Sequence, residues 1–250
     1  MGISGVVERL VDTDAARRCV PLCAPTTSTI FRSHAAPPTG RAHHHNPQAS
    51  AGTRNAARAL RPPTRSLDVP VIRRFTGGGT VVADDSTLFV SLVCAKEAAR
   101  GAPQFPRELM RWSADELYAP VFARLGATPA FHLLEQDYCV GERKCAGNAQ
   151  TISRGRWVHH TSFLWDFAPA HMALLRLPEK RPEYRRDRPH GDFLTRLRDA
   201  VPAAGGPDGF LDAVVRRLRE VFDVVEAPLE EAAAVLAGTT ERQTNVRVPY

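Results

Sequence analysis

The order of the patterned segments in this 250-residue sequence predicts an α+β fold. Segments rich in β-branched and aromatic residues predict strands, and longer segments with an apolar period of 3.6 residues predict helices. The two kinds of segment do not alternate strictly. A mixed sheet with flanking helices is therefore favoured over a doubly wound parallel sheet, in a single domain over residues 67–250.

The strand predictions fall in two groups. VPVIRRF (69–75), GTVVAD (79–84) and STLFVSLVCA (86–95) form the first group. Residues 137–167 form the second, as two or three strands joined by turns at GER and SRGR.

Two amphipathic segments predict the covering helices. The first spans residues 106–125, because its apolar residues fall near one side and Gly126 supplies a stop. The second spans Phe210 to Phe222, with Asp208 available as an N-terminal cap. Residues 228–237 predict a short final helix. The apolar residues of the first segment that fall near one face are Leu109, Trp112, Leu117, Val121 and Leu125.

Residues 12–66 differ in composition from the rest of the chain. They are dense in Ala, Pro, Arg, Thr and Ser, and no acidic residue occurs between Asp14 and Asp68. No apolar period of 2 or 3.6 residues runs through them, so they offer too little apolar area to offset the entropy of ordering. We expect a disordered low-complexity insert here.

Charge and hydropathy limit the classes of function. The net charge of +6 suits an anionic ligand or an acidic protein partner. No apolar run approaches the length of a membrane span, and residues 1–11 lack the pattern of a secretory signal. Cys19 and Cys23 with the histidines at 43–45 would be a weak metal site within the predicted insert, so no protein metal site is predicted.

The stretch RRFTGGGTVV (73–82) places two arginines beside three consecutive glycines. Consecutive glycines are entropically costly and allow a ligand to approach the main chain closely. The spacing fits neither GxxxxGK[ST] nor GxGxxG. Arg73 and Arg74 alternate across a strand, so at most one faces a ligand. A glycine hairpin beside solvated arginines is the alternative.

The stretch DYCVGERKCAGNAQ (137–150) places Asp137, Lys144 and Gly147 around a tight turn. A lysine late in a half-buried strand requires an anion, because an unpaired buried ammonium group is costly. Small residues follow it and leave room for a bulky ligand. An exposed strand lysine is the alternative.

The stretch WVHHTSFLWDF (157–167) contains two adjacent histidines. His159 and His160 face opposite sides of a strand, so they do not readily bind one metal ion together. One of them is expected to be a structural histidine with its hydrogen bonds satisfied.

In this order the three stretches resemble the lipoate-protein ligase A branch of the biotin/lipoate protein ligase family. The family patterns RRxSGGGAV, GxRKxxGxAQ and HHG(S/T) correspond here to RRFTGGGTV, GERKCAGNAQ and HHTS. The resemblance covers roughly residues 67–250. It implies a fold like that of class II aminoacyl-tRNA synthetases and biotin ligases. A biotin ligase itself is disfavoured because its loop carries GRGRxG.

The resemblance implies a reaction in two steps. Lipoate or octanoate attacks the α-phosphate of ATP, with Mg²⁺ expected, and a lysine of an acceptor domain then attacks the acyl-adenylate. Lys144 would be the catalytic cation, and Asp137 would help to hold Mg²⁺ or would position Lys144. The residues implied to bind ATP or the acyl-adenylate are Arg74, Thr76, Gly77, Gly78, Gly79, Thr80, Asp137, Gly147, Ala149 and His160.

The sequence departs from the family pattern in three places. Ala83-Asp84 stands where the family often has His-Asp. The start MGISG resembles the end of the first family strand, so residues 1–11 are read as a remnant of it and residues 12–66 as the replacement of a shorter linker. A misplaced gene start with a retained intron, or a divergent insert, would each account for this. The C-terminal region is too short for a full accessory domain.

Three alternatives to the ligase remain open. An octanoyl or lipoyl transferase would use a thioester on Cys145, although alternation turns Cys145 away from the side that Lys144 faces. A second kind of transferase would use preformed acyl-adenylate, and a non-catalytic remnant would only bind it. The expected partners are apo lipoyl domains of 2-oxoacid dehydrogenases or the glycine cleavage H protein. We expect a monomer without affinity for nucleic acid or membranes, and mitochondrion, plastid and cytosol remain open.

Overall fold

The strands of the computed structural model form two sheets. In chain order they are β1 (Val20–Pro25), β2 (Gln48–Gly52), β3 (Val71–Arg74), β4 (Val81–Ala83), β5 (Thr87–Ala95), β6 (Phe131–Leu134), β7 (Asp137–Val140), β8 (Arg143–Ile152), β9 (Arg156–Leu164) and β10 (Val246–Arg247). The residues that the structure describes are 20–25, 48–52, 71–74, 79–95, 105–153, 155–178, 181–222, 224 and 246–247.

The helices lie between and after the strands of the larger sheet. Helix α1 runs through α-helical Pro106–Trp112, π-helical Ser113–Tyr118 and α-helical Ala119–Arg124. The further α-helices are α2 (Pro169–Met172), α3 (His190–Phe193), α4 (Leu197–Ala200) and α5 (Pro207–Val221), and short 3-10 helices occupy Glu183–Arg185 and Pro202–Ala204.

The larger sheet has six strands in the order β1-β5-β9-β8-β7-β6, and every neighbouring pair is antiparallel. The smaller sheet has the order β10-β3-β2-β4, in which β2 and β3 are parallel and the other pairs antiparallel. This mixed arrangement with flanking helices confirms the α+β prediction.

The main core lies between one face of the larger sheet and helices α1 and α5. Phe163 of β9 is fully buried at its centre, with ring centroids 5.0 Å from Tyr118 of α1 and 5.1 Å from Phe210 of α5. Each such side chain contributes about 1.5–3 kcal/mol through burial. The packing fixes the sheet and leaves its opposite face for other contacts.

Helix α1 confirms the helix predicted over residues 106–125, with a change of winding in its middle. The π-helical stretch brings Ser113 and Tyr118 at its two ends onto the buried side. Their hydroxyl groups then reach polar residues of the sheet. Simple 3.6-residue periodicity does not predict this widening.

Two strands lie within the segment over which the composition predicts disorder, residues 12–66. Val20–Pro25 pairs with β5 along its whole length, and Gln48–Gly52 lies between β3 and β4. The surrounding segment carries no apolar period that marks either strand. Pairing with neighbouring strands satisfies their backbone groups instead, which composition does not reveal. The remainder of this segment, residues 1–11 and the predicted helix at 228–237 lie outside the described residues.

Helix α5 confirms the second predicted helix and begins three residues earlier than Phe210. Gly206 is its N-cap residue, so Asp208 lies in the first turn instead of capping it. A carboxylate there still interacts favourably with the helix dipole. Among the described residues, no helix is long and apolar enough to cross a membrane.

Candidate active site

The face of the six-stranded sheet opposite α1 and α5 carries the residues singled out in the sequence. We call it the slot face. Gly147 of β8 pairs with Ser162 of β9, and Ala149 pairs with His160, so these four side chains share one side. Asp137, Lys144, Gly147, Ala149, His160 and Ser162 define the slot face.

A β-bulge in β8 brings Lys144 and Gly147 to the same side. Cys139 pairs with Lys144 and the adjacent Tyr138 pairs with Ala146, which leaves Cys145 as the extra residue. A methyl group on Gly147 would lie 3.7 Å from Lys144 Nζ, although three positions separate the residues. A regular strand would turn them to opposite faces.

Lys144 and Asp137 form a close ion pair. Lys144 Nζ lies 2.6 Å from Asp137 Oδ1, with 23% of the lysine side chain and 10% of the aspartate side chain exposed. The hydroxyl of Tyr184 donates to the other carboxylate oxygen at 2.9 Å. The ammonium group is therefore held in place, yet it remains in reach of a ligand.

Gly147 and Ala149 form a floor of small residues beside this ion pair. A methyl group on Gly147 would lie 3.5 Å from Ser162 Oγ, and Ala149 is buried against the sheet. Because these residues are small, the main chain borders the space through which a ligand would approach Lys144. That a ligand occupies this floor stays a prediction.

His160 lies on the slot face and is half-buried. Its ring stacks on Phe89, with centroids 4.9 Å apart. Its Nδ1 forms a hydrogen bond with the hydroxyl of Ser91. The contacts orient the imidazole beside Ala149.

His159 lies on the opposite face and is the structural histidine that the sequence predicts. Its Nδ1 accepts from the Gln150 amide at 2.9 Å, and its Nε2 lies 3.0 Å from the Tyr138 hydroxyl and 3.2 Å from that of Ser113. Burial lowers the pKa of His159 from 6.5 to about 3. The ring is therefore neutral and joins α1, β7, β8 and β9.

Neither free cysteine of this region is suited to nucleophilic chemistry. Cys145 is fully buried in the main core, and burial raises the pKa of its thiol well above the usual value. Cys139 lies 3.4 Å from the Tyr184 oxygen, and burial raises the pKa of its thiol to about 11. Both thiols are thus protonated at neutral pH, whereas a thioester route requires a thiolate.

The triglycine stretch is only partly described. Arg74 is the last residue of β3, where its backbone pairs with Gly52, while Thr76, Gly77 and Gly78 lie outside the described residues. Gly79 is exposed, and a methyl group added to it would meet no atom within 4 Å. Thr80 is half-buried next to β4.

Neither Asp137 nor its described surroundings form a Mg²⁺ site. Its two carboxylate oxygens are engaged by Lys144 and by Tyr184. Within the described ranges, no group of three or more His, Cys, Asp or Glu residues could hold a metal ion. Of the two roles open for Asp137, this geometry favours the positioning of Lys144.

Sequence reasoning missed the segment that holds Tyr184. Residues 181–195, which we call the strap, read as polar and rich in Arg and Pro. Its Arg188 donates to Glu142 O at 2.9 Å, and the backbone N–H of Thr195 donates to Lys144 O at 2.9 Å. The strap thus binds to the hairpin of β7 and β8. The aromatic residue within the arginine-rich run was the available signal.

Sequence reasoning also missed a pair beside the position of the absent family histidine. His171 Nδ1 lies 3.1 Å from Asp84 Oδ2, and Asp84 follows β4 directly. The imidazole comes from α2, 87 positions away in sequence. No local motif encodes such a pairing.

The sequence of this chain is similar to those of known proteins. The model of the lipoyl protein ligase A/B catalytic domain matches residues 26–222. The inactive lipoate–protein ligase 2 of Plasmodium falciparum (isolate 3D7) is 25% identical over 185 residues. That alignment covers 62% of this chain and 48% of the relative, so the chain spans about half the length of that relative.

Solved structures share the fold. A lipoate-protein ligase A bound with ATP superposes with a TM-score of 0.64 at 16% identity, covering 95% of this chain and 90% of that one. A bi-partite lipoate protein ligase from Thermoplasma acidophilum, studied with its E2 lipoyl domain, gives 0.57 at 18% identity, with coverage of 77% and 75%. Because the family model spans most of the sequence, the chain belongs to the lipoyl protein ligase A/B catalytic domain family.

Proposed function

We propose that the protein activates lipoate or octanoate with ATP and transfers the acyl group to a lysine of a lipoyl domain. The single observation that carries the proposal is the Lys144 ammonium group, held 2.6 Å from Asp137 beside the open floor at Gly147. Membership of the family and the superposition on an ATP-bound ligase support it.

In the first step, the carboxylate oxygen of the acid forms a bond to the α-phosphorus of ATP and pyrophosphate leaves. Two anions meet, so positive charge at the junction lowers the barrier. Lys144 supplies that charge without being consumed. Arg74 is proposed to supply a second charge, and Thr76, Thr80 and the glycines 77–79 to bring backbone and hydroxyl donors close to the phosphate.

In the second step, the neutral amine of an acceptor lysine attacks the carbonyl carbon of the acyl-adenylate. An amide bond forms, AMP leaves and the amine loses a proton. Negative charge develops on the carbonyl oxygen, and Lys144 stabilises it. Gly147, Ala149 and His160 are proposed to line the acyl side of the same slot.

The acceptor is proposed to be an apo lipoyl domain, of a 2-oxoacid dehydrogenase or of the glycine cleavage system. The solved archaeal ligase was studied with its E2 lipoyl domain, which supports this class of partner. The net charge of +6 favours association with an acidic domain through electrostatic steering.

A second candidate is a protein that binds or transfers preformed acyl-adenylate and does not make it. The matched Plasmodium protein is named inactive, which favours this candidate. Exchange of labelled pyrophosphate into ATP in the presence of lipoate separates the two functions. Only adenylation produces that exchange, whereas transfer from added lipoyl-adenylate occurs with either transfer-competent protein.

The direct test is mass spectrometry of an apo lipoyl domain after incubation with the protein, ATP, Mg²⁺ and lipoate or octanoate. We expect a mass gain of one acyl group, and a rate about a hundred- to a thousandfold lower for Lys144→Ala. Arg143→Ala is the matched control, because it removes an exposed cation from the neighbouring position. Transfer from octanoyl carrier protein without ATP would contradict the ligase.

A further inference from the structure

Tyr184 meets Asp137 from outside the sheet. Its hydroxyl donates to Asp137 Oδ2 at 2.9 Å, while Asp137 Oδ1 lies 2.6 Å from Lys144 Nζ. One carboxylate thus connects a phenol on the strap with the ammonium group of the slot. Among the described residues, Cys139, Cys145 and Arg185 also interact electrostatically with this carboxylate.

The strap fixes the ring of Tyr184 from several directions. Its centroid lies 5.4 Å from that of Phe193, and the Arg188 guanidinium lies 6.0 Å from the ring. Its backbone N–H donates to Glu135 Oε1, and its carbonyl accepts from Arg188 Nη2 at 2.7 Å. These contacts therefore fix the position of the Tyr184 hydroxyl beside Asp137.

The remaining contacts near Asp137 do not replace this bond. Arg185 is buried over the ring of Phe193, 4.4 Å from its centroid, and forms no ion pair that would hold the carboxylate. Burial, and then the charge of Asp137, raise the pKa of the Tyr184 hydroxyl well above its ordinary value. Tyr184 is thus a permanent donor at physiological pH.

We propose that Tyr184 is a positioning residue that orients the Asp137 carboxylate and so holds the Lys144 ammonium group over Gly147. The role of Lys144 in acyl transfer rests on the proposed function, whereas the geometric part does not. Without the hydroxyl, Asp137 Oδ2 loses its donor and the carboxylate rotates more freely. Lys144 then samples positions away from the reacting atoms.

The sequence provides a direct probe, because Lys96, Lys144 and Lys180 are its three lysines. Protein labelled isotopically at the lysine side-chain nitrogen yields three ammonium signals by NMR, and Lys144→Arg assigns one of them. In the wild type we expect the Lys144 signal to be shifted and slow to exchange. In Tyr184→Phe we expect it to move toward the other two, because the ring packing remains and only the hydroxyl is lost.

The second part of the test measures the kinetics of acyl transfer from lipoyl-adenylate to an apo lipoyl domain. For Tyr184→Phe we expect kcat to fall about tenfold and KM to stay within about twofold. In an Asp137→Asn background the same substitution should have no further effect, because the two residues act through one path. Additive effects in that cycle would overturn the proposal.

Tyr138→Phe is the matched control. It removes a buried hydroxyl that bonds to Ser113 and lies near His159 on the opposite face. It should lower the unfolding temperature and leave the Lys144 signal unchanged. An unchanged Lys144 signal in Tyr184→Phe would overturn the proposal. If the wild type transfers no acyl group, the proposed function fails and the NMR comparison alone decides the role of Tyr184.

Discussion

Lys144 and Cys145 are adjacent in sequence, yet they lie on opposite faces of the larger sheet. The lysine pairs with Asp137 on the slot face, and the cysteine thiol donates to Tyr138 O at 3.3 Å inside the main core. Alternation along a strand separates them, and the bulge preserves the separation. The residue beside the candidate catalytic cation is thus a core residue.

This separation predicts that Cys145→Ala retains acyl transfer. The loss of a buried sulfur costs stability, on the order of 1–2 kcal/mol, because a small cavity forms. Transfer rates measured well below the unfolding temperature should stay within about twofold of the wild type. A loss of activity without a loss of folded protein would instead support a thioester intermediate.

Gly147→Ala should separate folding from ligand binding. The added methyl group would make ordinary contacts, 3.5 Å from Ser162 Oγ and 3.7 Å from Lys144 Nζ, so the fold accepts it. The same methyl group fills the space beside Lys144. We expect lipoyl-adenylate affinity to fall at least about tenfold in isothermal titration, equal to about 1.4 kcal/mol.

The control for Gly147→Ala is Gly155→Ala in the exposed turn between β8 and β9. A methyl group there meets no atom within 4 Å. The Gly155→Ala variant should bind lipoyl-adenylate with the same affinity as the wild type. Equal affinity in both variants would mean that the ligand does not lie over Gly147.

Because His159 is buried in its neutral form, we expect the free energy of unfolding to decrease in mild acid. The folded ring stays neutral down to about pH 3, whereas the unfolded chain takes up a proton near pH 6.5. Stability is therefore full above pH 6.5 and falls as the pH decreases toward 3. Between pH 7 and pH 5 the expected contribution is a loss of about 2 kcal/mol in the free energy of unfolding.

Urea unfolding at pH 7 and pH 5 measures this contribution. His159→Gln removes the titrating ring, so its stability should depend less on pH across that interval. The carboxylates titrate in both proteins, and the difference between the two proteins isolates the histidine. A parallel pH dependence would exclude His159 as the cause.

Arg188→Lys should loosen the strap although the charge is kept. The guanidinium donates to three carbonyl oxygens, those of Glu142, Tyr184 and Arg185, and a lysine cannot reproduce this fork. We expect faster hydrogen exchange over residues 183–195 and a lower kcat. Arg216→Lys on the exposed side of α5 is the control and should change neither quantity.

How much the sequence predicts depends on the range of the interactions involved. The strand around Lys144, the helices α1 and α5 and the expectation that one of His159 and His160 is structural follow from local periodicity. The contact of Tyr184 with Asp137 joins residues 47 positions apart, and that of His171 with Asp84 joins residues 87 apart. Local patterns do not encode such contacts.

The strands β1 and β2 also depend on long-range contacts, in this case backbone hydrogen bonds, that local sequence patterns do not reveal. The composition of residues 12–66 as a whole predicts disorder, because no apolar period runs through that segment. Partner strands from distant parts of the chain supply the hydrogen bonds. Composition indicates how much apolar area a segment can bury by itself. It does not include the hydrogen bonds that neighbouring strands provide.

The bulge at Cys145 has a consequence for how the chain tolerates insertions and deletions. An odd spacing separates Lys144 from Gly147, and only the extra residue brings both to the slot face. Deleting one residue between them would leave a spacing of two, and both residues would then share the slot face only in a regular strand without the bulge. Related proteins should therefore combine an odd spacing between these positions with a bulge, or an even spacing with a regular strand.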